Sequence, residues 1–418
     1  MNVINRNYYL EKLTKSRGNG LIKVITGPRR CGKSFLLTKL FHSQLLSEGI
    51  REDHIIEISL EDMAFYELRN PFKMMEYVRN KITAEGQYYI IIDEVQRLDE
   101  FVDVLNSLLR IHNVDVFVTG SNSRFLSSDI ATEFRGRDHQ IRLHPLSFAE
   151  FYSAIGGDKE DAWLSYCTYG GLPQVLSFED AESKANYLRS VYQTAYLSDI
   201  LERYKIKNVS EFDKLVQILA SQIGSPNNPN KISNTFQSVE GVAIHGRTIG
   251  QYLSYLTDAF IVNKAERYDV KGRKYIGTLS KYYFEDLGIR NALLNFRQQE
   301  ESHIMENVLY NELLARGYQV DVGDVVIRKR NEAGESKRTH LEIDFVVNDF
   351  SKRYYIQSAL SIPDRDKLEQ ESQSLLNIKD AFRKIIIVKS RTIPWHTENG
   401  ILVISLIDFL LGKVDLDT

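Results

Sequence analysis

The chain has 418 residues, a formal charge of −3, 43% hydrophobic and 26% charged residues, which allows two or three domains of roughly 100–200 residues each and argues against a fibrous repeat or general disorder. The near-neutral balance excludes whole-chain attraction to nucleic acid or an acidic membrane surface, so charge has to be read by segment. Only two cysteines, Cys31 and Cys167, occur, and no apolar run approaches the roughly 18–20 residues of a spanning helix, which points to a cytoplasmic setting with no membrane partner.

Residues 1–145 alternate short apolar runs with amphipathic stretches, the pattern of a parallel sheet covered by helices. The predicted strands are 21–26, 54–60, 88–93, 114–120 and 139–144. Each is apolar at its centre, as strands buried on both faces are, although HQIRLH carries charge and reads as nearer an edge. Residues 146–222 turn helical and predict a lid. The polar stretch GSPNNPNK (224–231) is loop chemistry. Within 223–298 the order helix, turn, helix, hairpin is that of a winged helix, with KGRK at the hairpin tip. Residues 299–418 predict a helix, strands near 318–328, 341–348 and 353–360, a Glu/Gln-rich helix and the strand KIIIVK.

GPRRCGKS, that is Gly27, Pro28, Arg29, Arg30, Cys31, Gly32, Lys33 and Ser34, matches G-x-x-x-x-G-K-[ST] in full and stands between a predicted strand and an amphipathic helix, with Phe35 counted beside it as nucleotide-binding. Glycines at this spacing let backbone N–H groups converge on phosphates at a helix N-terminus. The predicted ligand is ATP or ADP with Mg²⁺: Lys33 reaches the β- and γ-phosphates and Ser34 ligates the metal. Arg29 and Arg30 contribute backbone, with side chains directed away. YYIIIDE ends an apolar strand on Asp93, a second metal ligand, and on Glu94, which orients or deprotonates the attacking water. In VFVTGSNS, Thr119, Ser121 or Asn122 is placed to sense the γ-phosphate. In FRGR, Arg135 and Arg137 are candidates for a charge supplied to the transition state.

These motifs, with LHPLSFAEF and the later YGGLP, closely resemble the prokaryotic AAA+ ATPases of the archaeal-type, STAND-related lineage, which carry a winged helix and a C-terminal domain related to the PD-(D/E)xK nucleases. The resemblance implies an α/β fold with a P-loop AAA+ core of strand order 5-1-4-3-2, then the lid, the winged helix and a restriction-endonuclease-like tail. It also implies that Arg137 is the better finger candidate, acting in its own site or, in a homo-oligomer, on a neighbour's nucleotide.

On the predicted wing, Lys264, Arg267, Lys271, Arg273, Lys274 and Lys281 outnumber Glu266 and Asp269 and suit either DNA phosphates or an unidentified protein partner. In the tail, Glu342 and Asp344 share one face of a strand, with Glu306 on the preceding helix. Gln357 and Ala359 stand where a nuclease of that fold needs an acid and a lysine, leaving Lys367 on the next helix as the possible rescue. The reading is an Mg-dependent ATPase switch with an inactive tail. Its rivals are an ATP-gated DNA-processing nuclease or DNA-binding regulator, and an ADP-holding scaffold.

Overall fold

A computed structural model of the chain describes residues 3–120, 134, 136–277, 279–297, 300–330 and 336–418. The chain divides into two compact units. The first comprises 1–145, 172–177 and 258–260. The second comprises 146–171, 178–257 and 261–418, so the segments expected as lid, winged helix and tail cluster together.

The first unit is built on five parallel strands, β1 (Ile22–Thr26), β2 (Ile55–Ser59), β3 (Tyr88–Asp93), β4 (Val114–Thr119) and β5 (Asp138–Arg142), in the order β2-β3-β4-β1-β5. Read from the other edge, this is the expected 5-1-4-3-2. The hydrophobic runs of β1, β3 and β4 are buried on both faces because helices cover both: one face packs around Val78, Leu105 and Phe134, the other around Leu13, Leu37 and Phe41. The charged β5 lies at an edge, as its alternation predicts. At the base of the sheet a buried ion pair between Lys23 of β1 and Asp115 of β4 helps to specify their pairing, since either charge alone would be costly there.

In the second unit, helices Pro229–Glu240 and Gly246–Asp258 precede β6 (Val262–Ala265), β7 (Arg267–Asp269), β8 (Lys274–Tyr275) and β9 (Lys281–Phe284). The predicted single hairpin is divided. β6 pairs with β9, whereas β7 and β8 join a larger sheet by parallel pairing of β7 with β10 (Gln319–Arg330). Among the described residues that sheet has eight strands, continuing through β11 (Ser336–Asp349), β12 (Lys352–Ala359), β13 (Arg383–Val388), β15 (Leu402–Ser405) and β14 (Trp395–His396). The boundary expected near 298 therefore does not separate two sheets. Among the described residues no helix is long and apolar enough to cross a membrane.

Candidate nucleotide site

The phosphate loop leaves the carboxyl end of β1 and enters helix Lys33–Phe35, which continues through a π-helical turn, Leu36–Phe41, into helix His42–Ser47. Gly27 cannot be replaced without strain: its φ is +143° and a Cβ there would collide with the Leu143 carbonyl. Cys31 is buried with its thiol toward the same carbonyl, 3.7 Å away, which explains a cysteine inside the loop as packing. Lys33, 5% exposed, donates to the Gly27 and Pro28 carbonyls at 3.0 and 2.8 Å. Phe35 and Arg30 face solvent.

Parallel pairing sets β4 beside β1 and β3 beside β4, so their carboxyl ends meet the loop. Asp93, 6% exposed, accepts from Ser34 Oγ at 2.7 Å and from Thr119 Oγ1 at 2.6 Å through one oxygen. Burial raises the Asp93 carboxyl above its ordinary value against the hydrogen bonds of Thr119 and Ser34, and Glu94 and Glu61 add to the rise. Glu94 follows with φ 54° and ψ 50°, a left-handed backbone rarely taken by a side chain of this kind. Its N–H donates to Thr119 Oγ1 at 2.9 Å and its carboxylate accepts from Gln96. The structure thus brings Lys33, Ser34, Asp93, Glu94 and Thr119 together. Ser121, Asn122 and Arg135 lie outside the described residues.

Arg137 is placed elsewhere. Its carbonyl accepts from Ile22 N–H at 2.9 Å, at the start of β1, so a strand of five residues, on the order of 16 Å, separates it from the loop. Its exposed side chain donates to Asn106 at 3.1 Å. Such a residue is out of reach of its own chain's phosphates.

Arg6 was not singled out from the sequence. Its guanidinium is buried and donates to the carbonyls of Cys31 at 3.5 Å, His144 at 2.9 Å and Pro145 at 3.4 Å, bracing the loop against the chain that follows β5. An isolated arginine before the first helix gives no local pattern by which to find it.

In the second unit the tail acids meet an unexpected cation. Lys281 of β9, assigned to the basic wing from sequence, is buried and pairs with Glu306 and Glu342 at 2.7 Å each. Burial works against its charge, yet Glu306, Glu342 and Asp344 hold it above the ordinary lysine value. Tyr283 also donates to Glu306. Asp344 accepts from Ser358 N–H at 2.8 Å, Ser358 Oγ at 2.6 Å and Gln357 Nε2 at 3.2 Å, and burial with the nearby Glu306 charge pushes it up to about 7. Lys367 bonds instead to Glu371 on its own helix at 2.6 Å. No group of three His, Cys, Asp or Glu among the described residues is placed to hold a metal. The basic patch is smaller than its composition suggested: Lys264 pairs with Glu266, Arg267 with Asp324, and Lys271 donates to the Val326 carbonyl.

Comparison with known proteins gives two family matches: an AAA domain over residues 19–152 and a domain of unknown function (DUF8612) over residues 160–300. An uncharacterised protein of Haemophilus influenzae is 33% identical over 415 residues, spanning 98% of this chain and 99% of its own length. An uncharacterised protein of Methanocaldococcus jannaschii is 26% identical over 408 residues, 92% of this chain and 87% of its own. Among solved structures, a Walker-type ATPase of Pyrococcus abyssi is 15% identical, with a TM-score of 0.48 over 70% of this chain and 96% of that one.

Proposed function

We propose, for a chain that belongs to the family of its full-length Haemophilus influenzae relative and carries an AAA-type ATPase domain, that it hydrolyses ATP with Mg²⁺ and passes the nucleotide state to its second unit. The observation that carries this reading is the contact of Ser34 Oγ with Asp93 Oδ1 at 2.7 Å beside a buried Lys33. The donor set fits the ion: a hydroxyl and a carboxylate are hard oxygen ligands, and a carboxylate disfavoured by burial and two acidic neighbours gains from a cation beside it. Bound there, Mg²⁺ would neutralise charge on the β- and γ-phosphates.

The chain's own groups supply the remaining chemistry. Backbone N–H groups of Arg29 to Ser34 would surround the phosphates, and Lys33 would exchange its two carbonyl partners for phosphate oxygens. Thr119 fixes the Asp93 carboxylate and the Glu94 N–H at once. Glu94, steadied by Gln96, receives a proton from the attacking water. The winged-helix reading of 223–298 remains part of this proposal, with Arg273 and Lys274 exposed toward any anionic partner. The tail binds or scaffolds and does not cut, because Lys281 neutralises the acids a metal would need. Phosphate release from ATP by the purified chain tests the central reading: it should require Mg²⁺ and fall to background in Asp93→Asn. Turnover that persists in EDTA or in that variant would reject it.

A further inference from the structure

The chain passes between its two units at 145/146, 171/172, 177/178, 257/258 and 260/261. Two of these crossings are tied to the phosphate loop from within the first unit. Arg6 links the Cys31 carbonyl to those of His144 and Pro145, the last residues before the first crossing. A guanidinium is a rigid planar fork, so these carbonyls are held in one geometry. Just beyond the second crossing, Leu172 and Val175 are buried and the Pro173 ring lies 4.0 Å from where a Cβ on Gly32 would stand. The first segment is therefore bonded to the loop that would receive the phosphates through Arg6, and the second lies beside it at Gly32.

Within the second unit the same two crossings are tied to each other. Leu146 N–H donates to the Gly171 carbonyl at 2.7 Å. Gly171 N–H donates to the buried Asp286 carboxylate at 2.7 Å, and the same carboxylate caps helix Leu287–Leu293 through Ile289 N–H at 3.0 Å. Gly170 and Gly171 permit this contact: a Cβ on the first would collide with the Asp286 oxygens, and on the second with the Leu146 carbonyl. The YGG of the YGGLP motif is thus half of a glycine–carboxylate joint, whose other half is Asp286.

We propose that the paired crossings are the relay by which nucleotide at the phosphate loop acts on the second unit, with Arg6 and Pro173 as its inputs and Asp286 as its output. The inference rests on the nucleotide reading above. An anion entering the loop would rearrange the Cys31 carbonyl that Arg6 holds and the Gly32 backbone beside Pro173. A close-packed joint passes such a shift on by repacking, since packed interiors have discrete arrangements instead of continuous give.

Hydrogen exchange of the full chain at saturating Mg²⁺ and ATPγS tests the relay. Nucleotide binding is first established by fluorescence displacement. In the wild type, exchange at the amides of 286–292 should change by about fivefold or more on binding, a coupling of ordinary allosteric size. Asp286→Asn, which removes one acceptor oxygen of the joint, should bind nucleotide and lose at least about half of that response. Where Asp286→Asn fails to fold, Pro173→Gly makes the same test from the input side and should lose the response likewise. A full response in a folded, nucleotide-bound variant, or no response in a wild type that binds nucleotide, overturns the relay and leaves the ATPase reading standing. Failure of the wild type to bind nucleotide overturns both.

Discussion

Replacing Lys281 by Met tests how the tail disposes of its acidic charge. Methionine keeps most of the stem volume and removes only the ammonium. Its two partners then differ: the Glu306 side chain is 8% exposed and cannot recover water, whereas that of Glu342 is 35% exposed and is partly screened. Leaving a buried ion without its partner costs about 3–5 kcal/mol, and Glu306 accounts for most of that figure here. For a unit of this size the melting midpoint should fall on the order of 10 °C. Adding Glu306→Gln should return part of the loss, because the stranded charge goes while Tyr283 keeps an acceptor. Thermal and urea unfolding of the wild type, the single variant and the double variant measure it. A loss below about 1 kcal/mol, the value of an exposed pair, would show that Lys281 is not the internal counter-ion of the cluster.

The Asp344 carboxyl is raised from an ordinary 3.8 to about 7, so the folded chain keeps a proton that the unfolded chain has released. Its contribution to stability is full below about pH 4 and lost as pH rises to about 7, and Asp344→Asn should flatten that part of the unfolding profile; an unchanged slope would refute the assignment. If Arg137 acts on a neighbour's nucleotide, turnover per chain should rise with concentration, and Arg137→Ala should recover when mixed with Lys33→Ala chains; a concentration-independent rate with no recovery would leave the arginine outside the chemistry. Single-stranded, duplex and structured DNA and RNA should survive incubation in Mg²⁺ or Mn²⁺, with or without ATP; cleavage that disappears in Asp344→Ala would make the tail a working nuclease.

The five core strands and the phosphate loop are legible because they are local. β1, β3 and β4 are short, largely apolar runs, the loop is contiguous, and Asp93 ends its strand. Thr119 could be named only as one of three, since nothing in VTGSNS says which polar side chain faces β3. Arg6 and Lys281 are missed for the opposite reason. Their partners lie 25 to 139 and 25 to 61 positions away, and an arginine before a helix or a lysine at a hairpin looks like any surface charge until the fold encloses it. The division of the wing has the same origin, because β7 finds β10 across more than fifty residues by parallel pairing that no turn signal announces. Asp286 leaves a faint trace, an aspartate just before a helix, but its bond to Gly171 is not readable from it.

In the proposed cycle binding and hydrolysis are divided between the two halves of the nucleotide site, and one paired measurement tests that division most directly. ATP affinity and single-turnover phosphate release are compared for Lys33→Ala and Glu94→Gln in Mg²⁺. Lys33→Ala should lose tight binding, because it removes the buried ammonium beside the loop carbonyls. Glu94→Gln should retain ATP and release phosphate about a hundredfold or more slowly than the wild type, the usual weight of a general base. Equal loss of binding in both variants, or undiminished release in Glu94→Gln, would contradict the account.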